Sequence, residues 1–139
     1  MRVRSIAEQR LLLRQAVGTL RARESRRVFD SVVHVGELDG EVQSFVARAQ
    51  DLPALDDSLR TDVVSALVAE LDPALRSPTV WLTRCGVPDL HDLDLRWLAA
   101  ASAACSEHGC VVGGFYVITR TGWLDVESGE TQTWKRLRL

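Results

Sequence analysis

The pattern of apolar residues changes at Ser77, and this change limits the possible folds more than any other feature of the chain. Before Ser77, apolar residues recur mostly at intervals of three and four, which is typical of amphipathic helices. After it, β-branched and aromatic residues form short runs separated by turns, which is typical of strands. The sequence therefore predicts a single α+β domain, residues 1–139, with a helical half at 1–76 packed on a sheet formed by 77–139.

The helical half is predicted to contain one long helix and two shorter ones. They are expected at Ser5 to about Val33, at Val42 to Ala49, and from Asp56 or Asp57 to Leu75. The segment from Gly36 to Gly40 ends the long helix, since glycine supplies the backbone freedom that a turn requires. Pro53 closes the second helix, because proline disfavours helical geometry in the residue before it.

The second half is predicted to be a β-α-β-β-β unit with a mixed sheet. Its strands are expected at Thr79 to Thr83, Phe115 to Arg120, Trp123 to Val126 and Thr131 to Leu139. The helix between the first two strands is predicted to have Asp89, Asp92 and Asp94 in its first turn and Gly109 at its C-terminal cap. Because a helix joins these two strands, they are predicted to pair in parallel through a right-handed crossover, and the last three strands form an antiparallel meander.

Composition and cysteine content limit the class of protein. The 139 residues, 46% of them hydrophobic, are enough for one core, and no apolar run approaches the roughly 20 residues that span a bilayer, so no membrane association is expected. The three cysteines have no framework spacing, which favours a reducing compartment and predicts a cytoplasmic protein. Arginine far outnumbers Lys135, the one lysine, which suggests a GC-rich bacterial genome.

Charge is distributed unevenly along the chain. Residues 1–27 carry a net charge of +6, residues 28–75 carry −8, and the remainder is balanced. A basic segment of this kind can bind nucleic acid. It can equally pack beside acidic elements of its own chain or of a partner subunit, and both interpretations remain open at this stage.

The loop that follows the first strand of the second half contains the most chemically suggestive residues. Candidate catalytic residues are Arg84, Cys85, His91, Asp92 and Asp94, since loops that leave parallel strands often form sites. They predict no particular reaction. The alternative is structural, because carboxylates in the first turn of a helix are explained by capping and by the helix dipole.

A zinc site is the other chemistry that the residues allow. Cys105, His108 and Cys110, with or without Cys85, offer the sulfur and nitrogen ligands that zinc prefers. They straddle a helix end instead of forming the paired knuckles of the common structural sites. We therefore predict no metal and no cofactor, and expect the sulfurs to pack in the core.

The helix and strands after this loop resemble the JAB/RadC-type domain. The shared positions are Asp94, Leu98, Ala101, Gly109, Ile118 and Gly122, with Gly86 and Pro88 resembling that family's loop. Trp81 and Thr83 stand where the family has its two metal-binding histidines, and Asp94 alone keeps its place. The resemblance therefore implies a shared β-α-β pattern and no peptidase chemistry.

Tryptophan is frequent for a chain of this length, and two of the four lie near its end. Trp123 and Trp134 fall on neighbouring predicted strands, and with Arg136 and Arg138 they could form an exposed aromatic and basic strip. Such a strip suits a protein partner or single-stranded nucleic acid. Packing of the same rings in the core is the alternative.

The sequence thus leaves three functional hypotheses. We favour a non-enzymatic protein-interaction or regulatory module, most simply a homodimer joined through the long N-terminal helix. The alternatives are nucleic-acid binding through the N-terminal arginines or the Trp134 to Arg138 strand, and a small enzyme with a site between Arg84 and Asp94. The sequence contains no phosphate-binding loop and no ordered catalytic triad that would favour the enzyme.

Overall fold

A computed structural model describes residues 4–135, and within that range the chain forms a mixed α/β structure with three α-helices and a six-stranded sheet. The helices are α1 (Ile6–Arg23), α2 (Asp57–Ala69) and α3 (Asp92–Glu107), and a short 3-10 helix spans Leu52–Ala54. The strands are β1 (Ser31–Gly36), β2 (Val42–Ala47), β3 (Thr79–Thr83), β4 (Gly114–Ile118), β5 (Gly122–Asp125) and β6 (Thr131–Thr133).

The sheet has the order β2-β1-β3-β4-β5-β6. Strands β3 and β4 are parallel and are joined by α3, as predicted, while every other neighbouring pair is antiparallel. The β-α-β-β-β order of the second half is therefore confirmed. The two halves of the chain share one sheet, because β1 of the first half pairs with β3 of the second.

The predicted order of helices first and sheet second is only partly right, because two strands interrupt the helical half. Helix α1 ends at Arg23 instead of near Val33, and Ser31–Gly36 is a strand. The predicted second helix is strand β2, which pairs with β1 through a hairpin around Asp39 and Gly40. Three of the six residues of β1 are valines, whose branched side chains favour strands over helices.

Strand β2 was misassigned because its apolar residues fit a helical period. Val42, Phe45 and Val46 fit a helical spacing, but in the structure Phe45 faces α2 and α3, while Val42 and Val46 face α1. Pairing with β1 satisfies the backbone of the segment and buries Ala47. Tertiary contacts of this kind commonly override local propensity.

The two faces of the sheet are covered to different extents. Helices α2 and α3 cover one face, where residues such as Val33, Leu82 and Phe115 form the larger core cluster with Trp97 of α3. Helix α1 lies on the other face, mainly over β4 and β5, and buries Leu13 and Val17 there. The α1 side of β1 and β2 is consequently left open at one end of the sheet.

Caps define the starts of the helices. The side chain of Ser5 accepts a hydrogen bond from Glu8 N (3.1 Å), and that of Asp56 accepts one from Leu59 N (2.8 Å). Asp56 is thus the cap of α2, one of the two residues predicted for it. No helix between residues 4 and 135 is long and apolar enough to cross a membrane.

Candidate functional site

The loop between β3 and α3, where sequence analysis placed a possible catalytic site, is organised around a buried ion pair. Arg84 Nε and Nη2 donate to the two carboxylate oxygens of Asp94 at 3.1 and 3.0 Å, and the two side chains are 8% and 1% exposed. This is the bidentate geometry in which guanidinium and carboxylate match best. Both groups come from the predicted set, and the structure brings them into direct contact.

The remaining donors of Arg84 hold the loop itself. They reach the carbonyl oxygens of Cys85 and Val87, each at 3.2 Å, and of Asp89 at 2.7 Å. A guanidinium has five N–H groups, and these five contacts use all of them. Asp94 Oδ2 also accepts from His91 N at 2.9 Å, which caps α3. Arg84 therefore has no donor left for a ligand in this conformation.

The side chains of the other candidates in this loop do not contact the ion pair. His91 and Asp92 are exposed, and the His91 ring contacts the equally exposed Asp89 at 3.0 Å. Cys85 is half-buried and is not part of a disulfide. Of the predicted catalytic residues, then, Arg84 and Asp94 form a buried ion pair, Cys85 and His91 contact it through their backbones, and no contact joins the side chains of Cys85, His91 and Asp92 to it.

Asp94 is the one residue of this chain that keeps a metal-ligand position of the JAB/RadC-type domain, and the structure shows which contact it makes instead. The aspartate that would be its remaining metal ligand is engaged by Arg84 instead. Trp81 and Thr83 face the opposite side of the sheet, toward α1. Within residues 4–135, no three His, Cys, Asp or Glu side chains are grouped so that they could hold a metal ion.

The predicted aromatic strip is divided between core and surface. Trp123 is 1% exposed and packs with Leu13 and Val17 beneath α1 as part of the core. Trp134 is half-buried against the same cluster, and the guanidinium carbon of Arg14 lies 5.9 Å from the centre of its ring. Arg136 and Arg138 lie outside the described residues.

The uncovered part of the sheet forms a groove that sequence analysis did not predict. It lies between α1 and the β1–β2 hairpin and has a volume of about 720 Å³. The side of α1 that carries Leu12, Ala16 and Leu20 forms one wall of the groove. The hairpin residues Leu38 and Asp39 lie at one of its ends. We call this feature the α1 groove.

The floor of the α1 groove contains a row of three polar side chains, one from each of three neighbouring strands. His34 of β1 lies between Ser44 of β2 and Thr83 of β3, with Nδ1 at 2.7 Å from Ser44 Oγ and Nε2 at 3.1 Å from Thr83 Oγ1. Its ring stacks on Trp81, with 5.2 Å between centroids and an interplanar angle of 18°. Cross-strand register aligns these groups, since His34 is directly opposite both Ser44 and Trp81.

Burial sets the protonation state of this histidine. Desolvation, assisted by the positive charge of Arg23, lowers the pKa of His34 to about 4. The ring is therefore neutral near pH 7, where one nitrogen donates and the other accepts, and each has a hydroxyl partner. Although Ser44 and His34 are close enough to act as nucleophile and base, a histidine with so low a pKa is a weak general base, and Thr83 replaces the usual orienting carboxylate.

Strand β2 forms the outer edge of the sheet beside this groove. Glu37 N donates to Glu41 O at 2.9 Å, so Glu41 and every second residue after it turn their backbone groups toward β1. The backbone N–H and C=O groups of Val42, Ser44 and Val46 consequently point away from the sheet. Ser44 and Val46 are exposed.

Comparisons with protein-family models, with curated proteins and with solved structures found no match to this chain.

Proposed function

We propose that this protein is a non-enzymatic protein-interaction module that binds an extended segment of a partner protein along β2. The observation that carries the proposal is the edge of β2, whose outward backbone groups at Val42, Ser44 and Val46 lie beside the α1 groove. An extended segment that pairs with this edge would satisfy those groups, as in other cases of strand addition.

The amino-acid composition of β2 supports this use of the edge. Exposed edges of soluble proteins are usually protected by charged residues, by proline or by a very short strand. The six residues Val42–Ala47 contain no charged residue and no proline. The opposite edge differs, because β6 has three residues, all exposed, and Lys135 follows it closely. Protection at one edge and its absence at the other favour β2 as a surface that meets a partner.

The α1 groove indicates what kind of segment would fit. Alternate side chains of an added strand project toward the α1 side of the sheet, next to the exposed Val46 and the half-buried Val42. We therefore expect a segment with β-branched or aromatic residues at alternate positions. Its specificity would come from contacts with the side chains of Val42 and Val46 at the open end of the α1 groove.

Self-association through α1, the surface first favoured from sequence, has a weaker basis than β2. The helix has 18 residues, and Leu13 and Val17 of its apolar face are buried against the sheet of the same chain. The helix is thus shorter than predicted and its apolar face is partly covered within one molecule, with Ile6 and Leu11 left exposed. The three free thiols remain the reason to place the module in a reducing compartment such as the cytoplasm.

The nucleic-acid alternative gains no specific support from the described contacts. Arg4 forms an ion pair with Asp39, and Arg10 Nη2 lies 2.5 Å from Glu130 Oε1. Arg26 pairs with Glu24 at 2.8 Å, and this contact is the main cause of the lowered pKa of Glu24, about 2. These acids partly neutralise the basic segment that phosphate groups would require.

A displayed library of random peptides, selected on the immobilised full chain, tests the proposal. We expect enrichment of segments with alternating apolar residues, and we expect Val46→Lys to abolish their binding. Thr133→Lys is the matched control, because it places the same charge on the other edge strand. Peptides that bind both variants equally, or a selection that yields no segment sensitive to Val46→Lys, would overturn the proposal.

A further inference from the structure

We infer that one partner of the β2 edge is a second copy of this chain, and that two β2 strands pair antiparallel about a two-fold axis to form a continuous twelve-stranded sheet from two six-stranded ones. This inference rests on the proposed function, since it names a partner for the same edge. It assigns self-association to β2 and not to α1.

The backbone of β2 is self-complementary in this arrangement. Residues directly opposite each other in an antiparallel pair lie on the same face and exchange both backbone hydrogen bonds at alternate positions. A two-fold axis at Ser44 places Ser44 opposite its own copy and Val42 opposite Val46 of the second copy. All three of these residues direct their backbone groups outward, so each outward group meets a partner.

The side chains fit the same register. Val42 and Val46 lie on the α1 side of the sheet, and pairing them across the axis joins two apolar residues at each end of the contact. On the opposite side, Phe45 would lie opposite Gln43 of the second copy, which covers the part of its ring that is still accessible. The pairing is isologous, as in most homodimers.

The charges that flank β2 favour antiparallel pairing of two copies. Glu41 precedes the strand and Arg48 follows it, and both are exposed. With the axis at Ser44, Glu41 of one copy lies opposite Ala47 of the other, next to Arg48. Charges of opposite sign therefore lie near each other at both ends of the contact, whereas a parallel arrangement in register would bring together two glutamates and two arginines. Strand alternation places Glu41 and Arg48 on opposite faces of the sheet, and the Glu41 carboxylate already accepts a hydrogen bond from Asp72 N at 3.2 Å, so the charges set the direction of pairing without forming a new ion pair.

Sedimentation velocity of the full chain tests this inference. We expect wild-type protein at about 100 µM, a concentration that populates dimers with micromolar dissociation constants, to sediment as a dimer and to dissociate on dilution. Val46→Lys should remain monomeric, and Thr133→Lys should dimerise like the wild type. Val46→Pro is a second variant, because proline is tolerated where a backbone N–H faces solvent but cannot donate that bond to a second strand.

The outcomes separate the two proposals. A monomeric wild type that still binds selected peptides in a manner sensitive to Val46→Lys would overturn the self-pairing and leave the proposed function intact. A dimer that persists in folded Val46→Lys and Val46→Pro would overturn the assignment of self-association to β2. Loss of both the dimer and peptide binding in these two variants alone is the result that we expect.

Discussion

Replacing Asp94 with alanine should destabilise the protein strongly, because the substitution leaves the buried guanidinium of Arg84 without its carboxylate partner. Removal of one member of a buried ion pair typically costs about 3–5 kcal/mol. The same carboxylate accepts a hydrogen bond from His91 N at the start of α3, and loss of a helix cap costs about 1 kcal/mol more. Native domains have a free energy of unfolding of about 5–15 kcal/mol, so most of the stability could be lost.

Thermal unfolding followed by far-UV circular dichroism measures this effect. A loss of 1 kcal/mol lowers the melting temperature by roughly 2–8 °C in domains of this size range, so Asp94→Ala should lower it by about 10 °C or more. Asp92→Ala is the matched control, because Asp92 is an exposed carboxylate in the same helical turn. Its stability should change by at most about 1 kcal/mol.

A double substitution separates the ion pair from general damage to the loop. Arg84→Met combined with Asp94→Leu removes both charges together, along with the bonds from Arg84 to three loop carbonyl oxygens. Its cost should be smaller than the sum of the costs of Arg84→Met and Asp94→Leu measured singly, because each single variant leaves a buried charge without its partner and the double variant does not. If Asp94→Ala melts within two or three degrees of the wild type, the claim that the pair stabilises the fold is wrong. The Arg84 to Asp94 loop would then become available again for a chemical role.

Three further predictions test other parts of the structure. The pKa of His34 is about 4 in the folded protein, against an ordinary value of 6.5 for histidine in an unfolded chain. The free energy of unfolding should therefore decrease by about 3 kcal/mol as pH falls from about 6.5 to 4, because the unfolded chain binds the proton first. Urea titrations at several pH values should show a smaller decrease in His34→Gln. Trp123→Ala should cost about 3–5 kcal/mol and Trp134→Ala clearly less in chemical denaturation, and equal losses would contradict the different burial of the two rings. Gly36→Ala should lower the melting temperature, because Gly36 has φ of +147° and an added Cβ would collide with the Glu41 carbonyl oxygen. A normal melting temperature would refute that backbone geometry.

The second half of the chain could be predicted from sequence because its local signals agree with its tertiary structure. The run Thr79–Thr83 favours a strand and is buried on both faces, and Asp92 and Asp94 mark the start of α3. Parallel pairing of β3 and β4 followed from the connecting helix, a rule of topology that requires no structure. Segments whose local secondary-structure preference agrees with their tertiary environment can be assigned from sequence.

The hairpin of β1 and β2 could not be assigned in the same way. The apolar residues of Val42–Ala47 fit a helical period and do not alternate, so the strand forms through pairing with β1. One local signal was present, since Asp39-Gly40 between two valine-containing runs is typical of a hairpin turn. It was outweighed by the apparent continuation of α1 through Val28 and Val32.

The candidate site was predicted least well, because it depends on contacts between residues far apart in the chain. The α1 groove requires the register of three strands, which aligns Ser44, His34 and Thr83 although His34 and Thr83 are 49 positions apart in sequence. The role of Arg84 depends on its side chain folding back onto a helix start ten residues later. Sequence identified the participants in that second case, but not that they neutralise each other.

Hydrogen exchange of the β2 backbone tests the central claim most directly. In dilute protein, the amides of Gln43, Phe45 and Ala47 should be protected by β1, and those of Val42, Ser44 and Val46 should exchange rapidly. At high concentration, or with a selected peptide, the second set should become protected as well. Uniform protection of all six amides in dilute monomer, as a helix would give, or rapid exchange at Val42, Ser44 and Val46 under every condition, would contradict the account.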